Sequence, residues 1–366
     1  MARIILLSIF LTTLSLLATA ASLSRDRQVF NIPSAIQAGP SIAQFKSSSH
    51  GLDAPKLSSV NGSAFDWWYF DAISTDPDNL ASVVITLFTT VHDALPFVET
   101  TDNVLTADII VSFPNGTRVK ADILADSATV IAEGNTSSGE WHGTGFKWSG
   151  GPLGYTITIN SPLVGVKGSI HFLPVAPPHL PCGPVQAGQT LEVGPHIGWA
   201  NVMPDAKVSV DLVVNGTRVA FNGIGYHDKN WSDQPFPTHV ASWYWGHAHV
   251  GPYSLVWFDF LDRTGTEYVS AYLAKNGKII TATCAADSIS VRPNDGSAFP
   301  PVLSTPNPTG YHISLKRGRM EADVHLVRDL VDPTPAYGRF IGEVTATIDG
   351  KKFQGMAVCE QFKLTN

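Results

Sequence analysis

Beyond residue 65 the chain reads as short apolar runs of strand length, separated by turn residues. Ala81 to Val91 and Val104 to Phe113 are nearly continuous apolar runs, and the second ends in Pro114-Asn115-Gly116. Val208 to Val214 alternates apolar with polar, and Asn215-Gly216 turns the chain into Arg218 to Gly223. Tyr253 to Phe260 and Glu267 to Leu273 flank Asp262-Arg263-Thr264-Gly265; Arg339 to Ile348 and Lys352 to Gln361 flank Asp349-Gly350. Alternation puts every second side chain on one face of a strand, and Asn-Gly or Asp-Gly pairs supply the positive φ of tight hairpins. No long stretch carries a helical period, and 31 glycines with 25 prolines oppose one. The pattern predicts an all-β chain of sandwich or barrel type. An extended arm at residues 21–60, rich in Ser, Pro, Ala and Gly, precedes a β domain at 61–222 and a second at 223–366. Pro174 to Pro184 is expected to be a long crossing or lid loop.

The first twenty residues fall outside that pattern. Arg3, an apolar run from Ile4 to Leu17 and the small residues Ala18-Thr19-Ala20 read as a signal peptide over residues 1–20; the lesser alternative is an uncleaved anchor, for which the run is short and broken by polar residues. The expected location is the secretory pathway or outside the cell, with no stable membrane span after cleavage. There the Asn-x-Ser/Thr sequons gain meaning: Asn115 and Asn215 sit at turns, Asn61 and Asn135 are further acceptors, and Asn230, inside an aromatic motif, is expected to stay bare. Of Cys182, Cys284 and Cys359, two can pair in an oxidising compartment, and the sequence does not say which.

Charged residues are only 15% of the chain and hydrophobic ones 44%, so core material is ample. The net charge of −7 without a basic block argues against nucleic acid or an anionic membrane as partner. Nine tryptophans cluster in a few segments. In Phe65-Asp66-Trp67-Trp68-Tyr69-Phe70-Asp71, Trp67 and Tyr69 share one face of a strand, and Asp66, Trp68 and Phe70 the other. Asp66, a carboxylate among aromatics, is costly unless hydrogen-bonded or functional. In Gly225-Tyr226-His227-Asp228-Lys229-Asn230-Trp231, donors, acceptors and a group that titrates near neutrality follow one another. A histidine beside an aspartate fits a hydrogen-bonded structural corner first, a general base second and a metal ligand least. His247 and His249 share a face in Trp243-Tyr244-Trp245-Gly246-His247-Ala248-His249, but no third ligand accompanies them, so no metal is expected. Tyr253, Leu255, Trp257 and Asp259 read as a cavity wall with a polar end, and Gly194-Pro195-His196-Ile197-Gly198-Trp199 as a weaker addition. No nucleophile elbow, zinc-protease motif or nucleotide-cradling loop is present.

Taken together, the Asp-Trp-Trp-Tyr-Phe-Asp, Gly-Tyr-His-Asp-Lys-Asn-Trp and Trp-Tyr-Trp-Gly-His segments resemble one superfamily. It holds the bacterial carotenoid hydratases (hydroxyneurosporene synthase) and the fungal lipocalin-like Diels–Alderases. The resemblance runs from about Phe65 to near the C-terminus. Positions that match the family's aromatic motifs are Trp67, Trp68, Tyr69, Tyr226, His227, Asp228, Trp231, Trp243, Trp245 and Tyr253. It implies an N-terminal sandwich-like domain, a C-terminal lipocalin-like barrel and a pocket between or within them. It also implies a cofactor-free [4+2] cycloaddition on a polyene, or on a tropolone quinone methide with a terpene. The departure from the decalin-forming members' wording points toward the hetero-Diels–Alderases. Asp66, Tyr226, His227, Asp228 and Lys229 are the catalytic candidates. Trp67, Trp68, Tyr69, Trp199, Trp231, Trp243, Trp245, His247, Tyr253 and Trp257 are the candidates for substrate contact. Two rivals stand beside this reading: an isoprenoid hydratase or dehydratase that uses a carboxylic acid of raised pKa, and a secreted carrier of apolar ligands without chemistry.

Overall fold

A computed structural model describes residues 27–48 and 51–366; the expected signal peptide lies outside them. The architecture is nearly all-β, with one short helix, Phe236–His239, among the described residues. The strands that build the site are numbered in chain order: β1 (Phe65–Ser74), β2 (Ser82–Thr89), β3 (Leu105–Ser112), β4 (Arg118–Leu124), β5 (Ile197–Val214), β6 (Thr217–Ser232), β7 (Val240–Val250), β8 (Tyr253–Asp262), β9 (Tyr337–Ile348) and β10 (Lys351–Lys363).

They fall into two curled antiparallel sheets. The first begins with the arm strand Arg27–Pro33, crosses five strands between Ser127 and Pro174, and ends in the order β5-β6-β1-β2-β3-β4. In the second, β8-β7-β10-β9 form the centre, with further strands on both sides. Hairpin chemistry sets the registers. Asn215 and Gly216 (φ 48° and 81°) turn β5 into β6, and Asp349 and Gly350 (φ 49° and 77°) turn β9 into β10, as the two-residue primed turn requires.

Three large apolar clusters and a small one around Trp231 result. Trp68, Phe70, Trp141, Trp148 and Phe172 fill the first sheet. Tyr253, Leu255, Trp257, Tyr311 and Val344 fill the second. Trp67, Tyr69, Trp199, Tyr226, Trp243, Trp245 and Phe258 pack in the seam between the sheets. The strict alternation of β1 divides its aromatics between the first sheet's interior and that seam.

The chain leaves the first sheet only after Ser232, beyond the expected division near residue 222, because β6 stays paired with β1 up to Ser232↔Phe65. The arm is not free either. The Trp68 indole donates to the Asp53 carbonyl (2.9 Å) and the Trp231 indole to the Gln44 carbonyl (2.9 Å), which clamp it to the first sheet. The Pro-rich stretch does cross over. Ser270 and Tyr272 donate to the carbonyls of Pro181 and Pro177, and Cys182 is joined to Cys284, leaving Cys359 free and buried.

Candidate active site

The seam opens into a cavity of about 550 Å³. Its apolar walls are aromatic: Trp67 from β1, Phe88 from β2, Phe97 from the following loop, Trp243 and Trp245 from β7, Phe258 from β8, and Tyr337 and Phe362 from β9 and β10.

Asp228 stands on this wall. On β6 the side chains of Tyr226, Asp228 and Asn230 face the seam, because Tyr69 and Trp67 lie opposite Asp228 and Asn230 in the ladder. Asp228 Oδ2 accepts from the Trp199 indole (2.8 Å) and from the Tyr226 hydroxyl (2.7 Å). Oδ1 receives neither. Burial pushes Asp228 up to about 7 against the pull of those two donors, so near neutrality the group exchanges a proton, and the protonated form carries it on Oδ1 because both donors occupy Oδ2. When that proton leaves, the two donors on Oδ2 stabilise the anion.

The Tyr226 ring is fixed by stacking on His247 (centroids 4.6 Å apart) and its hydroxyl by Asn201 Nδ2 (2.6 Å). His247 Nε2 and the Tyr69 hydroxyl both bond Asp71 Oδ2, at 2.9 and 2.8 Å. A second polar knot lies on β9 and β10. Glu360 pairs with Arg339 and accepts from the Trp243 indole and the Tyr337 hydroxyl (both 2.9 Å). The Arg339 guanidinium lies 4.4 Å over the Tyr69 ring.

The structure separates the catalytic candidates. Asp228 lines the cavity and Tyr226 supports it, whereas Asp66, His227 and Lys229 point from the opposite faces of β1 and β6 into the first sheet. There Lys229 pairs with Asp66 (2.6 Å) over the Trp68 ring, and Asp66 also accepts from the Lys56 backbone. His227 Nδ1 donates to the Tyr69 carbonyl (2.8 Å), and Nε2 meets Asp53 (2.9 Å). These three residues tie the arm to the sheet, and a one-residue step on a strand puts them out of reach of the cavity.

Among the candidates for substrate contact, Trp67, Tyr69, Trp243 and Trp245 line the cavity. Trp199 holds Asp228, and His247 supports Tyr226. Trp68 belongs to the first sheet's interior, Trp231 packs beneath the arm, and Tyr253 and Trp257 fill the second sheet's core. The wall expected on the Tyr253 face comes instead from the opposite face of β8, through Phe258, because the curl of the second sheet turns Tyr253 and Trp257 toward its own core. Sequence reasoning passed over Arg339, Glu360 and Asp108. Asp108 carried a signal, a lone carboxylate inside the apolar run of β3. Arg339 and Glu360 reveal themselves only through the β9–β10 register, which sets them opposite each other.

Of the expected glycosylation sites, Asn115, Asn135 and Asn215 are exposed and Asn61 is half-buried. Asn230 is buried and donates to the Gly198 carbonyl (3.3 Å). Among the described residues no three His, Cys, Asp or Glu side chains converge to hold a metal ion, and no helix is long and apolar enough to cross a membrane.

An all-β shell around an aromatic cavity with a buried carboxyl on its wall is the equipment of an isomerase-type enzyme for small molecules. The Diels-Alderase-like family profile matches residues 32–293, and the chain belongs to that family. It is 34% identical to the quinolone epoxide rearrangement protein asqO of Emericella nidulans, over 95% of this chain and 97% of that one. The corresponding protein penF of Penicillium thymicola is also 34% identical, over 92% and 95%. The Diels-Alderase ucsH of an Acremonium species is 26% identical over 68% of this chain and 62% of its own. The crystal structure of CghA has the same fold, with a TM-score of 0.72 at 18% identity over 93% of this chain and 98% of that one.

Proposed function

We propose that the protein is a pericyclase-type isomerase of fungal secondary metabolism. It folds one apolar, unsaturated molecule inside the cavity and presents the Asp228 proton to an oxygen of that molecule as bonds are exchanged. One observation carries this reading: a buried carboxyl within an aromatic wall, raised by burial to about 7, with both of its hydrogen-bond donors on Oδ2 and none on Oδ1. In a [4+2] cycloaddition, the family's reaction, the cavity holds diene against dienophile. Strong orientation effects reach about 7–11 kcal/mol in the best cases, and a tethered substrate gains less. The hydrogen bond from Asp228 to a dienophile carbonyl adds about 2–4 kcal/mol. That CghA has been crystallised with Sch210972 supports small-molecule binding in this fold.

A second reading is favoured by the two relatives that match along nearly the full chain, both named for quinolone epoxide rearrangement. Asp228 then protonates the epoxide oxygen and a C–O bond breaks. The carbon cation faces the rings of Trp67, Trp243 and Trp245, a neighbouring group migrates, and the proton returns to Asp228 as the hydroxyl becomes a carbonyl. Nothing is gained or lost.

The test supplies purified protein with a tethered diene–dienophile polyenone and, separately, with a quinolone that carries an epoxidised side chain. Conversion to an isomer of unchanged mass is expected. Asp228→Asn separates the readings, since an amide still donates a hydrogen bond but gives up no proton. A cycloaddition survives within about tenfold, and an epoxide rearrangement falls by about a thousandfold. Saturable binding with neither compound changed would overturn both and leave a carrier.

We also propose that the protein folds in the secretory pathway and carries glycans at Asn115 and Asn215. The Cys182–Cys284 disulfide and the exposure of both sequons support this.

A further inference from the structure

The charges on the cavity wall do not cancel by simple pairing. Three cations line it, and each is matched: Arg339 with Glu360, Lys120 with Asp122 (3.0 Å), and Arg118 with Asp332. Two further carboxyls, Asp228 and Asp108, have no cation of their own; Lys120 Nζ stands 3.9 Å from Asp108, already engaged by Asp122. Asp108 lies on β3 directly across from Asp122 on β4 and beside Thr86 on β2. Its carboxyl is within hydrogen-bonding reach of that of Asp122, and a hydrogen bond between two carboxyls needs a proton on one of them. Burial and the Asp122 charge both push Asp108 well above the usual carboxylate range.

The consequence is a directional site. At the Asp228 end the wall donates. Oδ1 carries the proton, and the Trp245 indole N–H, which leans toward the Tyr226 hydroxyl without closing a hydrogen bond, is also unpartnered. Both side chains are more than nine-tenths buried. At the Asp108 end the wall accepts, because a proton on Asp108 turned toward Asp122 leaves the other carboxyl lone pairs open to a ligand.

We propose that the cavity selects an uncharged substrate whose reacting oxygen meets Asp228 while an N–H or O–H donor at its other end meets the Asp108–Asp122 pair, and that it rejects carboxylates and other anions. This rests on the reading of the seam cavity as the substrate site. A carboxylate finds no unmatched cation there and two carboxyl groups in its place, whereas a neutral donor-bearing ring system satisfies both ends.

The experiment measures binding, so it does not depend on turnover. The tryptophan fluorescence of the full chain is titrated with three small probes: 2-quinolone, N-methyl-2-quinolone and quinoline-2-carboxylate. The expected order is saturable quenching by 2-quinolone, about five- to tenfold weaker binding once the N–H is methylated, and no saturation by the carboxylate. Asp108→Leu should bring 2-quinolone and its N-methyl form to equal affinity. Asp108→Asn keeps an acceptor facing the cavity and should preserve the N–H preference, which separates recognition from misfolding. Equal binding of the two quinolones by the wild type, or tight binding of the carboxylate, overturns the proposal. If the N–H preference holds while neither test substrate is isomerised, the selectivity stands and the assignment of the reaction falls.

Discussion

Removal of the Tyr226 hydroxyl asks directly whether Asp228 is the acid. That hydroxyl supplies one of the two hydrogen bonds on Oδ2, and Trp199 keeps the other. In Tyr226→Phe the ring still stacks on His247, so the cavity wall keeps its shape. A hydrogen bond to a charged acceptor contributes about 1.5–3 kcal/mol, and about 1.4 kcal/mol moves a pKa by one. The Asp228 titration should therefore climb from about 7 by about one to two pH units. The protonated acid is the working form, so activity is present below its pKa and lost as pH rises through it. In the wild type kcat falls through neutrality; in the variant that fall moves to about pH 8–9. The low-pH plateau drops as well, because the acid is weaker. Asn201 Nδ2 loses its acceptor, which costs about 1–3 kcal/mol of stability, so rates are taken well below the melting temperature. The assay is single-turnover isomerisation, quenched and read by chromatographic separation of substrate and isomer, from about pH 5 to 10. An alkaline limb that stays at neutrality in the variant would refute the assignment of Asp228 as the acid.

Further predictions follow from burial and charge. Because Asp228 is raised from 3.8 to about 7 in the fold, the folded state binds a proton that the unfolded chain releases, so its contribution to stability is lost as pH rises between those values. Asp228→Asn should melt higher than the wild type at pH 8, by an amount that corresponds to at most about 4 kcal/mol; a lower melting temperature there counts against the buried acid. Lys229→Met leaves Asp66 as an uncompensated buried charge and should cost about 3–5 kcal/mol in urea denaturation, while Asp66→Asn with Lys229→Met recovers much of it. Replacement of Cys182 and Cys284 by serine removes a link across 102 residues and should cost about 2–5 kcal/mol, read as a lower urea midpoint with Asp228 chemistry unchanged at low temperature. A wild-type midpoint that matches the serine variant would show that the disulfide stabilises nothing.

The fold was largely legible because hairpins are local. Asn215-Gly216 and Asp349-Gly350 announce their turns, and the apolar runs announce the strands between them. The split of Trp67 and Tyr69 from Trp68 and Phe70 also followed from alternation alone. What stayed hidden is non-local. No pattern in the sequence says that β6 pairs with β1 up to Ser232, or that Asp53 of the arm reaches His227. Asp66, His227 and Lys229 looked catalytic because a buried structural ion network and an active site draw on the same side chains. Only the face of the strand tells them apart. Asp108, Arg339 and Glu360 stand on three different strands, and their convergence is a property of how the two sheets close on each other.

The alternation of β6 has a practical bearing on how such a protein diversifies. Positions 228 and 230 line the seam cavity, with 226 behind 228, and positions 227, 229 and 231 hold the first sheet and its arm. Selection can rewrite the first set while leaving the second set's contacts in place, since each set contacts a different interior. A combinatorial library confined to the even positions, together with 67 and 69 on β1, would explore new chemistry on a scaffold whose foldability is guarded by the residues between them.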